Sequence, residues 1–179
     1  MVRTRCVYTG GTRKNPTYHD LGDHTESLQV DYDPARISYA RLLEVFWDSH
    51  NPCQQAGSRQ YLTAVFFHNE AQKKLALETR DRAAMKRREK VVTAILPVTE
   101  VTVAEDYHQK YYLRRQPELI REFQALYPDV KDFLASTAAA RVNGYVGGNG
   151  TYAELEKQVG TFGLSARAQK VLLELRKNK

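Results

Sequence analysis

The sequence predicts an α+β fold: one domain over residues 1–179, a mixed sheet flanked by helices, and a helical C-terminal extension. Three observations lead there. Short apolar runs of strand character alternate with helical ones up to about residue 104, helical patterns gather beyond it, and no repeat, linker or low-complexity tract interrupts them. With 42% hydrophobic residues in 179, the chain is long enough to bury a real core.

The elements follow in order. Residues 2–8 alternate toward Val7 and Tyr8 and break at Thr9-Gly10-Gly11, which reads as a strand running into a glycine turn. Residues 12–24 are polar, with Pro16 and Gly22, and form a loop. From Thr25 to Tyr32 the residues Leu28, Val30 and Tyr32 share one side, predicting a half-buried strand that ends at Asp33-Pro34. Ser38 caps a helix carrying Leu42, Leu43, Val45, Phe46 and Trp47 at helical spacing, which stops near Pro52. After a loop at 53–59, Tyr61 to His68 is a dense apolar strand, and Asn69 opens a long helix to about Arg88.

Residues 91–104 read as a strand in two pieces, since Pro97 cannot donate to a ladder. Pro117 suits the first position of a helix over 117–126, and Asp129 caps a helix to about Arg141. Gly144, Gly147, Gly148 and Gly150 predict a flexible loop. Two short helices near 152–159 and 165–176 close the chain, the second capped by Ser165.

Composition limits the function classes. No run approaches the length of uncharged apolar sequence that a membrane span needs, so no membrane association is expected. Met1 to Arg5 is charged without an apolar stretch behind it, and two cysteines cannot make a disulfide framework. Both point to a reducing, cytoplasmic setting. The net charge of +6 concentrates between Lys73 and Lys90, but Glu78, Asp81 and Glu89 dilute it, and no nucleic-acid module accompanies it. A solvated helix face is the expectation, and no nucleic-acid partner.

Two stretches could carry chemistry. The loop at 15–26 holds Tyr18, His19, Asp20, Asp23, His24 and Glu26. Two histidines five apart are compatible with zinc but not specific for it, and no metal is expected. Alternatively Glu26, entering an apolar strand, is a desolvated acid with Tyr18 as a hydrogen-bond donor beside it; the plain alternative leaves Glu26 on an exposed strand face. The second stretch, Glu105 to Tyr112, packs Asp106, Tyr107 and His108 at a strand-to-helix junction. There Asp106 is either part of a site or a simple N-cap, and the tyrosines either site residues or anchors. Tyr61 either points its hydroxyl into a site or packs. Cys6 and Cys53 have no neighbouring base that would make either a thiolate. The glycines at 144–150 match no phosphate-binding pattern.

In order along the chain stand Tyr8-Thr9-Gly10-Gly11, Asn15-Pro16-Thr17-Tyr18, His24-Thr25-Glu26, Ile37-Ser38-Tyr39, Leu42 to Trp47, Arg59-Gln60-Tyr61, Ala104 to Gln109 and Asn143-Gly144-Tyr145. This series resembles the peptide methionine sulfoxide reductases of the A class over roughly residues 3–148, with 149–179 as a helical tail similar to one subgroup. The resemblance implies reduction of (S)-methionine sulfoxide, in peptides or free, as protein repair under oxidative stress. A cysteine thiolate attacks the sulfur, a carboxylic acid protonates the departing oxygen, and the resulting sulfenic acid is reduced by a second thiol. By resemblance Glu26 is the acid, Tyr18 and Tyr61 are the phenols on the sulfoxide oxygen, and Asp106, Tyr107 and His108 line the same site. No bound cofactor is implied, only an external thiol reductant, thioredoxin-like or small, and a monomeric state.

The departures from that family pattern matter as much. Its nucleophile sits in a Gly-Cys-Phe-Trp-Gly motif upstream of the Tyr-Thr-Gly-Gly turn, and that motif does not occur in this sequence. Trp47 belongs to another helix. The position of the resolving cysteine is Val146, and an aspartate common before the strand tyrosine is replaced by Ala56. Neither Cys6 nor Cys53 matches the nucleophile, although Cys53 is near Tyr61 in sequence. The expectations are therefore a chain that is inactive or nearly so as given, or a module that binds methionine sulfoxide without converting it. A family strand and helix start would also be missing, leaving an exposed edge and an aggregation-prone chain.

Overall fold

A computed structural model describes residues 2–177; Met1 and the last two residues of the expected tail lie outside them. The α+β expectation holds, with parallel and antiparallel strand pairs both present but divided between two small sheets. The chain forms two compact units, one of residues 6–104 and one of the N-terminal residues to Arg5 with Glu105 onward.

In the 6–104 unit, β1 (Arg3–Thr9, its first residues in the other unit) is the middle strand of an order β2-β1-β5, with β2 at Thr25–Asp31 and β5 at Thr102–Val103. β1 and β5 are antiparallel, with Val7 opposite Val103 and Tyr8 opposite Thr102. β3 (Ala64–Phe67) and β4 (Ala94–Pro97) pair in parallel, as a crossover through a helix requires. That helix is α2 (Glu70–Arg87), capped by Asn69, whose side chain accepts from the Gln72 amide at 2.9 Å. Its buried residues are small, Ala76, Thr79 and Ala83, so it packs closely on α1 (Tyr39–Asp48) around Leu43, Trp47 and Val65. Several basic charges of α2 meet acids: Lys73 with Glu70 at 3.3 Å, Arg80 with Asp81 at 2.8 Å, Lys86 with Asp48 at 3.6 Å.

Two strand expectations change here. The strand of residues 61–68 begins only at Ala64, because Arg59 to Leu62 closes a turn, the Leu62 amide donating to the Arg59 carbonyl at 3.2 Å. Tyr61 therefore stands in a turn. The face of Leu28, Val30 and Tyr32 is not packed under another element; it walls an open cavity, with Leu28 64% exposed.

The other unit is helical: α3 (Tyr111–Arg114), α4 (Pro117–Leu126), α5 (Val130–Ala135), α6 (Thr137–Val146), α7 (Tyr152–Gln158) and α8 (Ala166–Lys177). Phe123, Phe133, Val142, Leu155 and Leu172 form its core. Pro117 and Asp129 open α4 and α5 as expected. The single helix to Arg141 is instead two. Ser136 leaves helical geometry and caps a new helix, accepting from the Ala139 amide at 3.1 Å. The alanine run behind that cap carries α6 on to Val146, so Gly144 lies inside a helix and only Gly147 to Gly150 make the loop.

Candidate active site

The site in the 6–104 unit is built on the turn that ends β1. Gly10 has φ +82°, and a Cβ there would stand 2.4 Å from the Phe66 ring. Only glycine adopts this backbone without strain. We expect Gly10→Ala to cost about 1–2 kcal/mol from the left-handed backbone alone, read as a lowered urea midpoint.

The adjoining loop is held by Asp23. Its carboxylate accepts from the Thr12 amide at 2.8 Å, the Arg13 amide at 3.1 Å and the Thr12 hydroxyl at 3.0 Å. The backbone bonds from Thr12 and then Arg13 hold its pKa down to about 2. A carboxyl whose folded pKa lies below its unfolded value near 3.8 stabilises the fold above that value and loses this contribution as pH falls toward 2. Thermal melts between pH 5 and pH 2 should therefore show a midpoint that falls in this window. In Asp23→Asn the midpoint should start lower and fall less.

His24 is buried, and its Nε2 lies 2.8 Å from the Arg13 carbonyl. Asp20 pairs with the Arg13 guanidinium. Asp20, Asp23 and His24 are thus engaged in holding the loop, and among the described residues no group of three or more His, Cys, Asp or Glu side chains is placed to hold a metal ion.

Three of the residues singled out in the sequence meet in this unit. The Tyr18 and Tyr61 hydroxyls lie 3.1 Å apart. Glu26, half-buried at the start of β2, donates its amide to the Gln60 carbonyl at 2.9 Å, next to Tyr61. The Tyr61 phenol titrates above its usual value, first through its hydrogen bond with Tyr18, then through burial and the nearby charges of Tyr18 and Glu26. Glu26 and Tyr61 line a cavity of about 870 Å³ whose other walls include Leu28, Tyr39, Val45 and Phe46. Apolar walls with a few convergent polar groups are the usual character of a small-molecule site.

Neither thiol lines that cavity. Cys6 is half-buried in β1, against the cluster of Tyr8, Leu21 and Ala104. Burial, then Glu89, pushes the Cys53 thiol up, the reverse of what activates a thiolate. Asp106, Tyr107 and His108 belong to the helical unit, where they form a 3-10 turn with the Tyr107 and His108 rings 4.3 Å apart. Val146 is buried in the core of that unit.

Sequence reasoning gave Arg59 no role, yet its guanidinium donates to the carbonyls of Gly10 at 2.7 Å and Asp23 at 2.9 Å. Partners 49 and 36 residues away leave no local signature.

The family described as Peptide methionine sulfoxide reductase matches residues 1–142. The chain is 36% identical over 170 residues to a peptide methionine sulfoxide reductase of Drosophila melanogaster, covering 92% of this chain and 67% of the relative. It is 38% identical over 151 residues to peptide methionine sulfoxide reductase A5 of Oryza sativa subsp. japonica, covering 81% of this chain and 59% of the relative. The reduced crystal structure of Mxr1 from Saccharomyces cerevisiae matches with a TM-score of 0.59 at 26% identity, over 64% of this chain and 71% of that one. The chain thus spans about three-fifths to two-thirds of the length of these two curated relatives. By the profile match and by identity over most of its length, the chain belongs to the A class of the peptide methionine sulfoxide reductase family.

Proposed function

We propose that this chain carries the proton-donating and oxygen-binding half of a methionine sulfoxide reductase site. The observation behind this reading is that the Tyr18 hydroxyl lies 3.1 Å from that of Tyr61, which lines a cavity together with Glu26. Two hydroxyls side by side can both donate to one sulfoxide oxygen, and a carboxylic acid at the same cavity can protonate that oxygen as it leaves sulfur. The balanced reaction consumes one thiol: its sulfur takes the oxygen as a sulfenic acid, and the sulfoxide becomes a thioether. A second thiol then displaces water from the sulfenic acid and forms a disulfide.

In this reading Glu26 is the acid and Tyr18 and Tyr61 bind the oxygen, while Asp106, Tyr107 and His108 carry the substrate-binding role that the family resemblance implies. The substrate is (S)-methionine sulfoxide, free or in peptides. The reductant is an external thiol, thioredoxin-like or small, in a reducing cytoplasmic setting where a monomeric enzyme repairs oxidised protein. The nucleophile belongs to a Gly-Cys-Phe-Trp-Gly segment, which this sequence does not contain.

The test is a stereospecific assay of the chain joined at its N-terminus to such a segment. Turnover of the S epimer with dithiothreitol, lost by about 10²–10⁴-fold in Glu26→Gln, supports the reading. Turnover unaffected by that substitution overturns the assignment of the acid. A second reading, sulfoxide binding without conversion, draws on the same phenols and on the position of both thiols away from the cavity lining. The joined protein separates the two, since calorimetric binding of the sulfoxide by it with no methionine formed favours the second.

A further inference from the structure

We propose that Arg59 is a positioning residue of this site: its guanidinium, bonded to the Gly10 and Asp23 carbonyls, holds the Tyr61 hydroxyl against that of Tyr18. The inference rests on the role given above to the phenol pair. Its first support is that the two tyrosines are fixed in different ways. Tyr18 packs half-buried against the cluster of Tyr8, Leu21 and Ala104, and its loop is closed by the paired backbones of Thr17 and Asp20 at 3.0 and 3.2 Å. Tyr61 is 57% exposed and sits in a turn, so burial cannot fix its ring.

What does fix the turn is a set of bonds around residue 59. Nη2 of Arg59 donates to the Gly10 carbonyl at 2.7 Å, and Nε donates to the Asp23 carbonyl at 2.9 Å. The Arg59 carbonyl accepts from the Thr25 hydroxyl at 3.1 Å, and the Gln60 carbonyl accepts from the Glu26 amide at 2.9 Å. One guanidinium therefore ties the turn carrying Tyr61 to the glycine turn after β1 and to the loop that carries Tyr18 into β2. Bonds from a charged donor are about twice as strong as neutral ones, and the planar fork reaches two carbonyls at once. A lysine ammonium, a compact charge on a flexible stem, does not reproduce that fork. Gly10 contributes as well, since its left-handed backbone, φ +82°, sets the direction of the carbonyl that Nη2 meets.

The test reads the phenol itself and needs no turnover. With 13C-labelled tyrosine, the Tyr61 ring signal is assigned among eleven tyrosines by its loss in Tyr61→Phe and then followed through a pH titration. In the parent chain it should titrate above an ordinary tyrosine, and in Tyr18→Phe it should fall back because its bonding partner is gone. Arg59→Ala is expected to bring it most of the way to the Tyr18→Phe value, and Arg59→Lys part of the way.

The sign separates positioning from charge. Removing a cation would by itself raise a phenol pKa, so a fall reports that the two hydroxyls have parted. Arg59 is exposed, so both variants should keep the native circular dichroism spectrum. A purely structural role would lower the melting temperature and leave the Tyr61 titration in place. A Tyr61 titration unchanged from the parent in either variant overturns the proposal. Failure of the reductase assay would overturn the catalytic reading without touching this result, and the reverse also holds.

Discussion

Incubated with methionine sulfoxide and excess dithiothreitol, the 179-residue chain should form methionine no faster than buffer does. The reaction needs a thiolate within bonding distance of the sulfoxide sulfur while an acid meets its oxygen, and the cavity that Glu26 and Tyr61 line contains no thiol. Cys53 is pushed toward the neutral thiol by burial and by Glu89, so little of it is nucleophilic near pH 7. Cys6 packs beside Tyr8 and Ala104. When a covalent nucleophile is lost, what remains is binding and electrostatic stabilisation, and rates fall by roughly 10⁴–10⁶-fold. Chromatographic detection of the methionine product, with each sulfoxide epimer separately, measures this. Cys6→Ser and Cys53→Ser should leave the null result unchanged. S-specific product that disappears in either variant would give that cysteine the nucleophile's role and overturn the argument.

How much was legible in the sequence depends on how local the cause is. Caps are local, and Ser38, Asn69, Asp129 and Ser165 all begin helices where the sequence places them. Pro97 ends β4, as a residue without an amide proton should. The break at Ser136 is not legible, because a serine between two helical patterns can lie within a helix or cap the next one, and packing decides between them. The alternation of Leu28, Val30 and Tyr32 predicts a half-buried strand, but a period-two pattern shows which residues share a face and not what covers it, and Leu28 is exposed.

The site divides in the same way. Tyr18, Glu26 and Tyr61 stand out by residue type and by the order of motifs around them. The network that holds them joins residues 10, 23, 25, 59 and 60 across loops, and no period or spacing encodes it. Asp23, read in the sequence as a candidate metal ligand, is a loop anchor because its carboxylate receives two backbone amides. An isolated motif could not distinguish these uses of the same carboxylate.

In the helical unit the largest single loss of stability among polar positions is expected at Lys110. Its side chain is only 4% exposed, in a residue with φ +52°, a region that lysine rarely adopts. Nζ donates to the Thr4 carbonyl at 2.5 Å and reaches the Leu134 carbonyl at 3.5 Å, joining the N-terminal segment to the end of α5. Lys110→Met preserves most of the stem and removes the donor, leaving a buried carbonyl without its charged partner. Such a loss costs about 3 kcal/mol, more than the neutral hydrogen bonds nearby. Since 1 kcal/mol shifts the midpoint of a chain of this size by roughly 2–4 °C, the melting temperature should fall by about 6–12 °C. Arg114→Ala offers a control in the same unit, because that side chain donates at 2.8 Å to the Gln109 carbonyl from a more accessible position and should cost less. Equal melting temperatures for Lys110→Met and the parent would mean that water replaces the ammonium at Thr4 and that the left-handed backbone at 110 is held by packing alone.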